Sequence, residues 1–272
     1  MTTTALDTTH ATVHERRAPR EEHSPIPFRT VMGVELRKMF DTRSGFWLMV
    51  GIAASALLAT GSVIAFGGDD SLTYDNFAAA IGIPMTIFLP IVAILSVTGE
   101  WSQRAGLTTF TLVPNRGRVI RAKLTDTVLV GLGSMAVALA IGAIGNVVAT
   151  AIVGVPTVWD LSLTSILYIV GADLLGMMVG FMLGVVTRNS AAAIVSYFVY
   201  WFVLPTLSMV LAANQHWFEK AQAWVDFSFN QSRMYDGGFS GQDWAQLALT
   251  GVVWLGIPMA FGLWRVLRAE VK

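Results

Sequence analysis

Residues 162–186 read SLTSILYIVGADLLGMMVGFMLGVV, a run of twenty-five residues with one charge, Asp173. About 20 consecutive apolar residues in a helix cross the ~30 Å hydrocarbon layer of a bilayer. A soluble helix of this length would carry charge along its wet face. The stretch therefore predicts a membrane span, and the chain repeats the pattern at about 46–66, 77–98, 127–153, 191–212 and 244–264. Composition agrees. The 272 residues are 54% apolar and 13% charged, about half the roughly 25% charge of soluble domains, and mean hydropathy is +0.60. The expected fold class is all-α and integral to a membrane, with six transmembrane helices.

The basic residues set the expected orientation. Seven precede the first span (Arg16, Arg17, Arg20, Arg29, Arg37, Lys38, Arg43) and five lie between spans two and three (Arg104, Arg116, Arg118, Arg121, Lys123). Arg188 lies between spans four and five, and Arg265, Arg268 and Lys272 follow span six. The alternate loops hold only Lys220 and Arg233, and are acidic instead, with Asp69, Asp70, Asp75, Asp160, Glu219, Asp226, Asp236 and Asp243. Both termini are expected inside. Trp47, Trp159, Trp244 and Trp264 fall at span ends, where an apolar ring with a polar N–H is favoured.

Several functions are excluded at this level. Net charge is zero, with 18 basic and 18 acidic residues, so there is no basic excess for nucleic acid. With no cysteine there are no disulfides, thiolate nucleophiles or Cys-ligated metals. The histidines are His10, His14 and His23 near the N-terminus and His216 in an outside loop, so no span offers a Ser–His dyad. No lysine follows a glycine, which removes the phosphate-binding loop of an ATPase. The chain is expected to lack catalytic activity, metal and cofactor of its own. Residues 1–25 (MTTTALDTTHATVHERRAPREEHSP) have no apolar run of a secretory signal and read as a disordered cytoplasmic tail, leaving 26–272 as one transmembrane domain.

Four features stand beside the spans. In 26–44 (IPFRTVMGVELRKMFDTRS), Phe28, Val31, Met32, Leu36, Met39 and Phe40 share one helical face, with Arg29, Glu35, Lys38 and Arg43 expected on the other. This is either an amphipathic helix in the membrane interface or an extension of span one. The loop 99–125 (GEWSQRAGLTTFTLVPNRGRVIRAK for 99–123) predicts a short helix from Glu100 to Thr111, stopped before the turn at Pro114-Asn115-Arg116-Gly117. The outside loop 213–243 places Trp217, Ala221 and Trp224 on one face of an interfacial or re-entrant helix. Finally, Gly176, Gly180 and Gly184 in span four, and Ser134, Ala138, Gly142, Asn146 and Thr150 in span three, recur every four residues. Such stripes allow close helix packing, and a pathway lining is the sharper alternative. Pro84, Pro90, Pro205 and Pro258 fall inside spans as sites for kinks. Asp173 faces the Gly176–Gly180 side and reads either as a satisfied structural carboxyl or as a functional one.

The order of these parts resembles the membrane subunit of ABC-2 type transporters, which include bacterial exporters. The likeness covers about 26–272 and rests on Glu35-Leu36-Arg37-Lys38, the six spans, and a loop reading Glu100-Trp101-Ser102-Gln103-Arg104, Thr108-Thr109, Leu112-Val113-Pro114-Asn115-Arg116 and Lys123. The resemblance implies an interfacial connecting helix (Glu35, Arg37, Lys38) before the spans. It also implies a coupling helix that docks on an ATPase, with Glu100, Trp101, Arg104, Leu107, Thr109, Pro114 and Arg116 as its contact residues. It further implies a partner ATP-binding subunit carrying ATP and magnesium, a second permease subunit forming a homo- or heterodimer, and export through the cytoplasmic membrane of a hydrophobic or amphipathic substrate such as a drug, antibiotic or lipid-linked compound. Asn146, Asp173, Gly176, Gly180, Tyr197 and Trp201 are then pathway or packing residues. Membrane lipids are the remaining expected partner. The alternatives are a secondary carrier or channel using Asp173, and a scaffold or immunity protein with no transport cycle.

Overall fold

The computed structural model describes residues 26–102 and 116–268. Nine α-helical segments and one short 3-10 turn, Asp69–Ser71, occur among them. The segments are α1 (Phe28–Asp41), α2 (Arg43–Phe66), α3 (Tyr74–Ser102), α4 (Arg116–Val153), α5 (Leu163–Thr187), α6 (Ser190–Asn214), α7 (His216–Val225), α8 (Phe227–Asp236) and α9 (Gly241–Arg268). Six of these, α2 to α6 and α9, are long and apolar enough to cross a membrane. The described residues contain no β-strand, only an isolated bridge between Thr73 and Val158.

The predicted amphipathic segment is a helix of its own. Thr42 is extended (φ −80°, ψ 142°), which ends α1, and its hydroxyl accepts the N–H of Gly45 to cap α2. The polar face differs from expectation at Glu35, which is buried beside Val31 instead of lying with the exposed Arg29 and Arg43. The physical reason is periodicity. The covered stripe runs through Phe28, Val31, Met32, Glu35, Leu36 and Met39, the three- and four-residue spacing of one helix face, and Glu35 sits in its middle opposite a lysine.

Helices α3 and α5 form the centre. In their most apolar windows 50% and 56% of residues are buried, against 11% in α6 and 17% in α2 and α9. The poorly buried helices turn apolar side chains outward, such as Leu57, Leu58, Phe202, Leu207 and Phe261, a continuous surface that suits lipid and not water. The α5 glycine stripe lies against α3. A Cβ on Gly180 would sit 2.5 Å from the carbonyl oxygen of Pro90, so only glycine permits this approach. Gly142 of the α4 stripe lies against Phe77, Ala78 and Ile81 of α3.

The four prolines act in two ways. α3 continues through Pro84 and Pro90. Because Pro90 has no N–H, the carbonyl of Thr86 loses its helical partner. Tyr197 of α6 donates its hydroxyl to that oxygen at 2.7 Å. In α6 and α9 the helix instead widens into a π turn, at Val199–Val203 before Pro205 and at Val252–Gly256 before Pro258. Both turns begin six residues before the proline and end two before it. A wider turn moves the carbonyl four residues back away from the ring that would strike it.

Hydrogen bonds close the end opposite the basic residues. The Val158 carbonyl accepts from Tyr74 N at 3.2 Å and from Asn146 Nδ2 at 2.8 Å. The hydroxyls of Thr150 and Thr157 meet at 2.8 Å. Asn146, read as pathway or packing, thus holds the α4–α5 connection.

Candidate functional site

Two buried polar centres lie in the bundle, one at its foot and one around Asp173 near the middle of α5. The first joins α1 to the feet of α3 and α4. Glu35 of α1 accepts from the ammonium of Lys123 of α4 and, at 2.7 Å, from Lys38. Lys123 also donates to the Ser96 carbonyl of α3 at 3.0 Å. Around this knot, Ser96 Oγ lies 3.1 Å from Thr127 Oγ1, and Thr98 Oγ1 lies 2.7 Å from Ser190 Oγ at the start of α6. Four helices are therefore tied together here by polar contacts. Burial alone would raise the Glu35 carboxyl, but the facing Lys123 ammonium, aided by Lys38, outweighs it and holds the group below its ordinary value. Breaking a buried ion pair by removing one partner costs about 3–5 kcal/mol, so α1 is firmly seated. Asp126, one turn beyond Lys123, is 1% exposed, and neither carboxylate oxygen has a hydrogen-bond partner.

The second centre surrounds Asp173 in α5. Asp226 caps α8 by accepting from Phe229 N at 3.1 Å, and α8 then carries Gln231 and Tyr235, four residues apart, onto the interior face. Tyr235 donates to Asp173 Oδ1 at 2.9 Å, Gln231 Nε2 donates to the Ala172 carbonyl at 2.8 Å, and Tyr200 donates to Gln231 Oε1 at 2.5 Å. Burial and the Asp173 carboxylate raise the Tyr235 phenol well above its usual range, so it serves as a donor. Asp173 Oδ2 is buried without a partner and the residue borders a cavity of about 20 Å³ walled by Ile81, Met85 and Ile169. The arrangement seats α8 in the bundle by hydrogen bonds to α5 and α6.

The residues expected to matter fall into three groups. Glu35 and Lys38 join the first centre, while Arg37 is exposed on α1. Trp101 packs against the main apolar core. Glu100 falls in the last turn of α3 and Arg116 begins α4, and Arg104, Leu107, Thr109 and Pro114 lie outside the described residues. Gly176, Tyr197 and Trp201 surround the second centre: a Cβ on Gly176 would lie 3.1 Å from Gln231 Nε2, Tyr197 is fully buried, and Trp201 packs on the adjoining core. Sequence reasoning missed Gln231 and Tyr235. Asp226 three residues before Phe229, followed by polar residues at helical spacing, was the available signal. Among the described residues, no group of three or more His, Cys, Asp or Glu could hold a metal ion.

No model of a known protein family matches the chain, and no curated protein matches it.

Proposed function

We propose that the chain is the membrane-spanning permease subunit of an ATP-driven exporter of the ABC-2 type. In this reading it lies in the cytoplasmic membrane with both termini inside, and moves a hydrophobic or amphipathic substrate with energy from a separate ATP-binding subunit and a second permease subunit. One observation carries the reading. Glu35, Lys123 and Ser96 join α1 to the end of α3 and the start of α4, the two helices linked by residues 103–115. A push on that linker by a soluble motor reaches two spans and the interfacial helix together. The short basic run from Arg116 to Lys123 also suits contact with an acidic protein surface or anionic lipid headgroups.

The test is gentle solubilisation of the tagged full chain from its native membrane, followed by identification of co-purifying proteins. A stoichiometric soluble ATPase, lost with Leu107→Pro while the chain still inserts, is the expected result. A chain that purifies alone, in detergent that preserves a known transporter complex, overturns the reading. A carrier built on Asp173 is the second reading, supported by the unpartnered Asp173 Oδ2 beside a small cavity. It requires transport without an ATPase and loss of that transport with Asp173→Asn.

A further inference from the structure

Helices α5 and α9 press together at Gly262, where an added Cβ would lie 2.9 Å from Val185 Cγ1 and 3.0 Å from Val186 Cγ2. As the fourth and sixth spans they run in the same direction. One turn beyond this contact each helix therefore delivers an arginine to the same level: Arg188 follows Val185, and Arg265 follows Gly262, by three residues. Burial first, and the neighbouring Arg265 charge second, hold the Arg188 guanidinium below its ordinary value. Among the described residues no carboxylate pairs with either arginine. Arg265 lies over the Phe261 ring at 5.7 Å. Arg188 is half-buried, and its Nε is enclosed without a hydrogen-bond partner. Its backbone is left-handed (φ 54°) where it caps α5. Glycine or asparagine takes that conformation at less cost, so the backbone does not account for an arginine here. A cation drawn partly out of water beside a like charge calls for a counter-charge, and the described residues supply none.

We propose that Arg188 and Arg265 form a binding site for one phosphate group, that of an anionic membrane lipid. A guanidinium presents its N–H donors in a planar fork that matches phosphate oxygens. An anion between two guanidinium groups turns their repulsion into shared attraction. The lipid is the source because the site lies where two spans end. Beside it α9 turns Phe261, Trp264 and Leu267 outward, an apolar face for acyl chains with an indole at the interface. Basic pockets between spans hold lipid headgroups by this chemistry. The start of α6, two residues after Arg188, adds the positive end of a helix dipole. The site lies apart from the basic run 116–123 and does not depend on the transport reading, because it rests on contacts within this chain.

Native mass spectrometry of the full chain, released from a mild detergent with added lipid, counts bound molecules one at a time. The first phosphatidylglycerol is expected to bind about tenfold more tightly than the second, and about tenfold more tightly than phosphatidylcholine. Arg188→Asn removes the guanidinium and suits the left-handed backbone, so the fold is kept while the first phosphatidylglycerol weakens by about tenfold. Arg265→Gln is expected to do the same, and the double variant to lose little more, because both side chains hold one phosphate. Arg268→Gln is the control. It removes an equal charge three residues past Arg265, from a side chain that lies over the Trp264 ring at 5.0 Å, and is expected to leave the first lipid bound. Equal losses from Arg268→Gln and Arg188→Asn reduce the effect to net charge and overturn the site. An Arg188→Asn chain that binds phosphatidylglycerol like the unaltered chain overturns it too, as does equal binding of phosphatidylcholine. Inorganic phosphate is titrated in parallel, and its binding as tightly as phosphatidylglycerol overturns the lipid as the source.

Discussion

Tyr197 and Pro90 should behave as one unit. Pro90 leaves the Thr86 carbonyl without its helical donor, and the Tyr197 hydroxyl supplies the replacement at 2.7 Å in a fully buried setting. Tyr197→Phe removes the donor and changes little else in shape. A buried acceptor left unpaired costs about 1–3 kcal/mol. Hydrogen bonds measured within membrane proteins average about 0.6 and reach about 1.7 kcal/mol. Full burial and the lack of any second donor in the helix place this one near the top of that range, at about 1.5 kcal/mol. Pro90→Ala restores an N–H four residues after Thr86, so the helix can then satisfy its own carbonyl. In that background Tyr197→Phe should cost about 0.5 kcal/mol or less. The assay is reversible unfolding in mixed micelles of a mild detergent and dodecyl sulfate, on all four members of the cycle. Equal costs of Tyr197→Phe in the two backgrounds would refute the argument that the tyrosine answers the proline.

Three further outcomes follow from the geometry. Gly180→Ala drives a Cβ to within 2.5 Å of the Pro90 carbonyl oxygen, so the same assay should show a loss of about 1–3 kcal/mol, and a smaller effect would mean that α3 and α5 do not meet there. Glu35 sits below its ordinary value of 4.5 because of Lys123 and Lys38. Its stabilising contribution is therefore complete above that value and lost as pH falls through the lower folded value, so the same unfolding assay should show a loss of stability as the pH is brought below 4.5 and recovery on neutralisation. Tyr235→Phe removes the hydroxyl that Asp173 accepts from and should destabilise by about 1 kcal/mol, whereas Asp173→Asn keeps an acceptor for Tyr235 and should cost less.

The spans were legible because the requirement is simple: an uncharged run of bilayer length has few other fates. All six expected runs correspond to helices; most ends shift by about four residues or fewer, with Thr42, Ser162 and Asn189 capping the starts of α2, α5 and α6, but α4 begins at Arg116, well before the expected 127. Glu35 was misjudged because a charge was taken to face water, and the residue that pairs with it lies 88 positions away. Gln231 and Tyr235 escaped for a related reason. Their helix is short and polar by composition, and its burial comes from four other elements, α5, α6, α7 and α9, that no local pattern reveals. The glycine stripe of α5 was visible, but the proline it accommodates belongs to α3, and only the folded chain pairs them. The prolines of α6 and α9 were noted as sites for kinks, while the response is a widened turn. The proposed contact with an ATPase turns on 103–115, which lies outside the described residues.

The widened turns carry a historical consequence. Each turn of α-helix takes 3.6 residues, and a π turn accommodates one more. Val199–Val203 and Val252–Gly256 therefore each hold one residue more than the same stretch of α-helix, and each makes room for the proline that follows it. Two chains of common descent, one with Pro205 and one without it, should align along this helix only if a one-residue gap is opened beside Trp201, and likewise beside Trp254 for Pro258.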